Sequence, residues 1–359
     1  MSTRRGFMAG LLATGLAPQI SWADAGRPRF LSAAREENGQ YVLCGLSELG
    51  EILFKLPLPD RGHAAASHPS RPEAVCFARR PGRFAFVIDC MTGEKIAQMD
   101  APEGRHFYGH GVYSADGAWL YTTENDYDAA RGVVGVWDVK NGYRRAKEVE
   151  SGGIGPHDIK RLSGTDILVV ANGGIETHPD SGRTKLNLPL MQPNLSYLDH
   201  TGAILEHAEL PKDMRLGSIR HMAVCPDGVV AFGLQWQGDP AEVFPLVGVH
   251  RRGRDMKMFP TTKSQGSQLQ GYVGSIAVNA TGTHIAATSP RGGIFATYEI
   301  NSGTCREIRS FKDVCGVAGS ENSFVLTSGS GEIRHIKTGK SGNQHVGNPS
   351  WDNHLISVG

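Results

Sequence analysis

Hydrophobic residues occur along this chain in short runs, and glycine-containing turns separate one run from the next. Three runs lie between residues 29 and 55, and a second set with the same spacing lies between residues 74 and 98. Each set is followed by a Gly-His pair, Gly62-His63 in the first and Gly109-His110 in the second. Short apolar runs between such turns are typical of β-strands. Their recurrence in the same order indicates an internal repeat.

A further run opens each later copy of the repeat. These opening runs are 63–67, 110–114, 157–161, 221–225, 275–279 and 315–319. In four copies a glycine follows the opening position at the same distance, often in a tight-turn sequence such as Ala115-Asp116-Gly117. The four glycines are Gly117, Gly164, Gly228 and Gly282. They align the copies without reference to the histidines, so each copy is predicted to be a four-stranded sheet.

Seven copies of about 48 residues would fill the chain after its first 25 residues, and that length is typical of propeller blades. The sequence therefore predicts an all-β, seven-bladed β-propeller in a single domain over 26–359. The first copy lacks its opening strand, and residues 351–358 can supply it by pairing with the N-terminal blade, which closes the ring. Six or eight blades remain alternatives, because the outer strand of 313–349 is poorly defined.

Composition narrows the possible partners and the compartment. A net charge of +1 gives no reason to expect nucleic acid or an anionic membrane as a partner. The six cysteines are scattered through apolar runs, as buried free thiols are, although disulfides remain possible.

The first 25 residues have the layout of a signal peptide. Arg4-Arg5 precede an apolar run over 7–17, and the small-residue site Ala23-Asp24-Ala25 follows. The arginine pair predicts the twin-arginine type, which exports folded proteins, and hence a periplasmic location without a membrane span in the mature chain. An ordinary secretory signal with a chance arginine pair is the alternative.

Histidine dominates the aligned opening position of the copies. Around the predicted ring this position is occupied by His354, His63, His110, His157, His221, Ser275 and Cys315. The opening strand of a propeller blade is innermost, so five imidazoles are predicted to converge at the axis. Imidazoles, with a thiolate at Cys315, suit Fe, Cu, Zn or Ni. A metal-free polar pocket and a solvated structural channel are the alternatives.

Polar residues in the predicted loops should rim the mouth of the same channel. The candidates for binding a cofactor or ligand are Arg220, Asn172, Arg183 and Arg291, and Glu124 is the candidate general base should the protein be an enzyme. The longest loop, 175–193, has the length of a functional lid. Asp158 and Asp352 are candidates for orienting the neighbouring histidine rings.

Several of these motifs together resemble the bacterial family called domain of unknown function 1513. They include Tyr108-Gly109-His110-Gly111, Gly155-Pro156-His157, Ile219-Arg220-His221 and Trp351-Asp352-Asn353-His354. The resemblance implies a propeller similar to quinoprotein and YVTN-repeat propellers. It also implies imelysin-like iron-uptake proteins as genetic neighbours, a hint toward iron. The family supplies no catalytic residues to carry over.

The leading hypothesis is a periplasmic propeller that binds a transition metal, Fe or Cu with iron favoured, at the axial histidines and acts in metal acquisition. Imelysin-like iron-uptake proteins would be its partners. The alternatives are a lactonase-like, metal-dependent enzyme that uses the same pocket, and an interaction scaffold in a metal-uptake complex.

Overall fold

We analysed a computed structural model of the chain. It describes residues 20–78, 83–337, 340–344 and 349–358. Most of the predicted leader, residues 1–19, lies outside the described residues, and the leader stays a prediction. Trp22, near the end of that predicted leader, is buried against the first blade and donates its indole N–H to the carbonyl of His68 at 2.7 Å.

Seven antiparallel sheets form a ring, which confirms the predicted seven-bladed β-propeller. Each sheet is one blade, and in the second to seventh blades the strands follow the chain from the axis outward. The first three blades contain β1 (Phe30–Arg35), β2 (Tyr41–Leu46), β3 (Ile52–Leu58), β4 (Gly62–Ser67), β5 (Glu73–Ala78), β6 (Phe84–Asp89), β7 (Lys95–Asp100), β8 (Arg105–Tyr113), β9 (Trp119–Asp126), β10 (Arg131–Asp138) and β11 (Arg144–Glu150).

The remaining blades contain β12 (Pro156–Arg161), β13 (Leu168–Asn172), β14 (Asn194–Leu198), β15 (Ile204–Glu209), β16 (Gly217–Val224), β17 (Val230–Trp236), β18 (Val247–His250), β19 (Lys257–Met258), β20 (Ser275–Val278), β21 (His284–Ser289), β22 (Ile294–Glu299), β23 (Cys305–Ser310), β24 (Val314–Gly319), β25 (Ser323–Ser328), β26 (Ile333–Lys337) and β27 (Lys340–Gln344). The seventh blade thus has the outer strand that the sequence left poorly defined.

The position of a strand within its blade explains its hydrophobic pattern. The second and third strands are covered on both faces by neighbouring blades, so β13 and β14 are buried at every residue. The outermost strands have only one neighbour in their sheet, so β7 and β15 are mostly exposed. This arrangement produces the continuous apolar runs from which the repeat was inferred.

Helical structure in the described residues is confined to connections between strands. A short α-helix, α1 (Lys263–Leu269), leads into the sixth blade, and a capping box between Thr262 and Gln265 starts it. Single 3-10 turns occur at Pro179–Ser181, Leu188–Leu190 and Lys212–Met214. Among the described residues, no helix has the length and apolar character needed to cross a membrane.

The C-terminal segment closes the ring in two pieces, where the sequence analysis predicted a single strand. Strand β28 (Ser350–Trp351) and strand β29 (Ile356–Ser357) both pair with β1, and the chain bulges between them. Backbone hydrogen bonds from Asp352 to Ala33 and from Val358 to Arg29, each 2.9 Å, extend the pairing. The first blade therefore takes its innermost strand from the opposite end of the chain.

Apolar burial and one ion pair hold this closure in place. Trp351 and Leu355 pack with residues of the first blade and with Val325 and Ile333 of the seventh. Arg61 binds the Asp352 carboxylate through two nitrogens, at 2.7 and 3.2 Å. The closing segment is thus fixed to the blades on both sides of the closure between the first and last blades, which we call the seam.

The six cysteines are all free thiols, and five of them are buried. Burial is the first cause that raises the pKa of each, to about 12 for Cys44 and Cys90. The cysteines therefore contribute to the cores of the blades as small apolar side chains.

Replacing Trp351 with alanine tests the seam. The indole is 3% exposed between the first and last blades. We expect Trp351→Ala to lower the free energy of unfolding by about 3–5 kcal/mol, the usual cost of truncating a buried aromatic side chain. Chemical denaturation measures this loss. Trp119→Ala is the control, because its side chain is 37% exposed, and we expect a change of less than about 1 kcal/mol. Equal losses in both variants would contradict a seam that depends on Trp351.

Candidate metal centre

Irregularities in the innermost strands turn histidines toward the axis. The pairing of the first two strands of a blade shifts register at or next to each of four histidines, namely His63, His110, His157 and His221. The fifth, His354, lies in the bulge between β28 and β29. A β-bulge re-aims the side chain of the extra residue. The opening strand of the sixth blade, which carries Ser275 instead, pairs without a shift, whereas that of the seventh, which carries Cys315, is also shifted.

The Gly-His pairs of the sequence have a steric reason. Gly109 has a φ of +97°, and a Cβ there would lie 2.4 Å from Cδ2 of His63. Any other residue before His110 would therefore displace the ring of His63. Gly62 is restricted in the same way, since a Cβ at that position would lie 2.8 Å from the Cβ of Ala33. These glycines let neighbouring innermost strands approach closely enough for their histidines to meet.

All five predicted histidines come together in one group, which we call the histidine cluster. Ring centroids of His110 lie 5.1 Å from His63, 5.2 Å from His157, 5.8 Å from His221 and 4.8 Å from His354. His221 lies 4.8 Å from both His157 and His354. The group therefore surrounds His110, which contacts every other member.

Two sets of three histidines within the cluster could hold a metal ion. The mouth triad is His63, His110 and His157, and the chamber triad is His110, His221 and His354. Within each triad one ligating nitrogen per ring lies within 4.8 Å of the others. The three rings of the chamber triad are all buried.

Asp158 orients the central ring. Its carboxylate lies 3.3 Å from Nδ1 of His110, 3.0 Å from Nζ of Lys160 and accepts the backbone N–H of Met222 at 3.0 Å. Burial raises the pKa of Asp158, but Lys160, His110 and His221 outweigh it and hold that pKa far below its usual range. The ionised carboxylate thus engages Nδ1 of His110, which leaves Nε2 as the ring nitrogen that can bind a ligand. This Nε2 atom is buried and has no hydrogen-bond partner in the described structure.

Asp158 and Asp352, which the sequence predicted to orient the rings next to them, contact side chains of other blades. Asp158 was expected to serve His157, its neighbour in sequence, but it serves His110 of the preceding blade. Asp352 was expected to orient His354, but its carboxylate binds Arg61. In both cases the carboxylate contacts a side chain that belongs to another blade.

Two other rings also present a nitrogen to the cluster. Nδ1 of His157 lies 2.9 Å from the carbonyl oxygen of Arg220, and because a carbonyl can only accept, Nδ1 carries the proton. The neutral ring then has its lone pair on Nε2. Nε2 of His354 is buried and has no hydrogen-bond partner among the described residues. Such unsatisfied buried nitrogens are costly, so each one needs an explanation.

Burial keeps three of the rings uncharged. It is the main cause that lowers the pKa of His157, His221 and His354, with further lowering by Arg220 at His157, by His110 at His221 and by His63 at His354. The pKa of His221 falls to about 3. These rings are therefore neutral at pH 7, the form in which imidazole binds a metal.

Positive residues lie on the side of the mouth triad. Arg220 is half-buried, Arg291 stacks 4.6 Å above the ring of Tyr272, and Lys185 belongs to the long loop 175–193. Burial lowers the pKa of Lys185, and the charges of Arg220 and Arg291 lower it further. Lys185, Arg220 and Arg291 thus form a basic mouth over the cluster. Arg183 is exposed in the same loop.

A cavity of about 360 Å³ extends from the chamber triad along the axis. Its walls are the innermost strands, from His110, His221 and His354 to the far ends of those strands. We call it the axial chamber. Its lining includes none of Lys185, Arg220 and Arg291, so we place the basic mouth on the other side of the histidine cluster.

Comparison with known proteins gives the family. The model of the family described as protein of unknown function (DUF1513) matches residues 56–358. The chain belongs to the DUF1513 family. No curated protein matches this DUF1513 protein. Among solved structures, it is similar to "Kuenenia stuttgartiensis Hydrazine Synthase", with 12% identity, a TM-score of 0.65 and coverage of 87% of this chain and 96% of that one. At this identity the likeness concerns the fold alone.

Two of the other candidate residues have structural partners in this DUF1513 protein. The amide of Asn172 donates to the carbonyl of Ser151 and to the side chains of Asn194 and Ser196, and its oxygen accepts from the Ser151 hydroxyl. Glu124 was expected in a rim loop, but it lies on β9 and is fully buried. Arg145 binds both of its carboxylate oxygens, at 2.8 and 2.9 Å. Neither side chain has a free polar atom for a ligand.

Cys315 does not supply the thiolate that the sequence suggested. Its Sγ donates to the carbonyl of Asp313 at 3.2 Å, and burial raises its pKa to about 12. It is a buried thiol and belongs to neither triad.

Lys160 was not among the predicted site residues, although the sequence carries a signal for it. Among the opening runs, only that of the fourth blade, His157-Asp158-Ile159-Lys160-Arg161, carries charged residues. The others are uncharged throughout and mostly small or apolar after their first position. Charge on an innermost strand thus marked the ion pair that fixes His110.

The neutral histidines predict how stability depends on pH. Their folded-state pKa values lie below the ordinary 6.5, so the unfolded chain binds protons that the folded chain does not. The stability that these neutral rings contribute is therefore fully present above pH 6.5. It is lost progressively as the pH drops toward 3. In metal-stripped protein, three such groups give a slope of up to about 4 kcal/mol per pH unit.

Denaturation at several pH values between 6.5 and 5 measures this slope. His221→Asn should reduce it by about 1.4 kcal/mol per pH unit, the contribution of one proton. A stability that stays level over this range would show that the rings are not held neutral.

Glu124 can be tested as a structural residue. We expect Glu124→Gln to lower the free energy of unfolding by about 3 kcal/mol, because it leaves Arg145 without its buried partner, and to leave metal content unchanged. Denaturation and metal analysis measure the two effects. Glu150→Gln, an exposed carboxylate of the same blade, is the control. Unchanged stability with altered metal content would instead favour a role at the metal.

Proposed function

We propose that this protein binds one transition-metal ion at the chamber triad, His110, His221 and His354. The observation that supports this most directly is the pair of buried Nε2 atoms, on His110 and His354, that have no hydrogen-bond partner in the described structure. A metal ion would satisfy both of them. Asp158 behind His110 completes the carboxylate–histidine–metal arrangement that is common in metalloproteins.

The two triads cannot be filled at once. They share His110, whose Nδ1 faces Asp158, so only Nε2 of that ring is available to a metal. One imidazole nitrogen binds one ion. We assign the ion to the chamber triad because its rings are all buried, whereas His63 and His157 of the mouth triad are half-buried.

Iron or copper are the metals we propose. All three ligands are imidazoles, which suit Fe, Cu, Zn and Ni and lack the thiolates typical of closed structural zinc sites. We prefer iron, and we propose that the protein acts in iron acquisition in the periplasm with imelysin-like partners. These parts of the proposal rest on the twin-arginine-like leader and on the family resemblance.

The alternative functions have less support. Three histidines leave coordination positions open, as in catalytic sites, but the Glu124 carboxylate proposed as general base is engaged by Arg145. For an interaction scaffold, the exposed Leu186 and Leu190 of the loop 175–193 offer a contact surface. Both alternatives stay predictions.

Metal analysis of the purified full-length protein tests the proposal. We expect close to one Fe or Cu per chain, lost in His110→Ala and in His354→Ala and retained in His63→Ala, which breaks only the mouth triad. Adding the lost metal to stripped wild-type protein should raise the melting temperature, since a ligand at about 100 times its Kd stabilises by about 2.7 kcal/mol.

His284→Ala is the matched control, because His284 lies on β21, outside both triads, and it should retain metal. A cooperative unfolding transition in each variant shows that metal loss is not loss of the fold. Metal-free wild-type protein whose melting temperature does not respond to Fe or Cu would contradict the proposal. If His63→Ala loses the metal and His354→Ala retains it, the ion binds at the mouth triad instead.

A further inference from the structure

The axial chamber has the size of a small-molecule site. Its volume of about 360 Å³ falls within the range of ligand pockets, about 300–1,000 Å³. It ends at the chamber triad, so anything that fills it approaches the three imidazoles. It is also formed by strands of different blades, which makes it a permanent feature of the closed ring.

Part of the chamber wall is apolar. Along the innermost strands it is lined by small and aliphatic side chains, among them Val112, Ala223, Ile276, Val317 and Leu355. Such walls favour the apolar part of a ligand, because contact with them removes it from water.

Positive charge is concentrated on one wall. Lys160 and Arg161 line the chamber, and the Lys160 side chain is 30% exposed. Asp158 also lines it, but its carboxylate already accepts from Lys160, Met222 and Ile159 and faces His110. The Lys160 ammonium has three donors, and the Asp158 contact at 3.0 Å uses one of them. The chamber therefore favours an anionic group on an otherwise apolar molecule.

The far end of the chamber reaches solvent. Ser357 is exposed there, and Arg161, Val224 and Val278 are half-buried at the ends of their strands. A ligand can thus enter from the face opposite the basic mouth, and it does not need to pass the histidine cluster.

We propose that the axial chamber binds a small organic carboxylate, with its carboxylate at Lys160 and its apolar body against the aliphatic walls. The proposed contact between the carboxylate and Lys160 does not require a bound metal ion. The part of the inference that places the same carboxylate within reach of a metal ion rests on the function proposed above, since the chamber triad would hold that ion.

Binding of 4-fluorobenzoate, followed by ¹⁹F NMR on the full-length protein with and without metal, tests the inference. We expect the anion to bind, and Lys160→Met to weaken binding about tenfold or more, as loss of a charge-assisted hydrogen bond does. The neutral 4-fluorobenzamide should bind weakly and be insensitive to Lys160→Met. Ala223→Phe, which fills the chamber, should abolish binding of both.

Lys185→Met is the matched control, because it removes a positive charge from the basic mouth on the other side of the cluster, and it should leave binding unchanged. Absence of binding to both the metal-free and the metal-loaded wild-type protein would overturn the inference. So would binding that Lys185→Met removes and Lys160→Met retains. Metal-free protein that binds 4-fluorobenzoate through Lys160 but takes up no metal would support the chamber while refuting the proposed metal site.

Discussion

The pairing of the C-terminal segment with β1 is the interaction on which the rest of this structure depends. It joins residues about 320 positions apart, as in the hydrogen bond from the Ser32 hydroxyl to the carbonyl of His354. The same short segment fills the seam with Trp351, binds Arg61 through Asp352 and places His354 in the cluster. Closing the fold and completing the site are therefore one event. Until the segment pairs with β1, His354 does not reach the chamber triad and Leu355 does not line the axial chamber.

The histidine cluster conflicts with the demands of a stable core. A propeller axis filled with aliphatic side chains would bury no polar atoms, whereas this one buries nitrogens of His110 and His354 without hydrogen bonds in the described structure. Each such group costs about 1–3 kcal/mol. The bulges that aim these rings also interrupt the pairing of the innermost strands. Polar burial and interrupted pairing coincide at the innermost strands around the cluster, and this combination is expected of a functional site.

The sequence predicted the parts of this structure that repeat. Blade number, the closing segment and the convergence of His63, His110, His157, His221 and His354 all follow from one alignment of the copies. What it missed depends on side-chain contacts between strands, either within one blade or between two. The partner of Asp158 is a ring 48 positions earlier in the chain, and Glu124 meets Arg145 across its own sheet. Bulges also escape an alignment, because one extra residue beside a histidine leaves the spacing of the copies almost unchanged.

Charge along the axis constrains how a metal could reach the cluster. Lys185, Arg220 and Arg291 lie at one end, and Lys160 and Arg161 line the other. A bare divalent cation would meet positive charge from either side, in a channel whose low dielectric strengthens the repulsion. An ion at the proposed site is therefore easier to deliver as the complex of a small anion, or to the chain before β28 and β29 close the ring. An anion carrier of this kind is also what the apolar walls and Lys160 of the axial chamber would accept, so one arrangement of charge accounts for both ends of the axis.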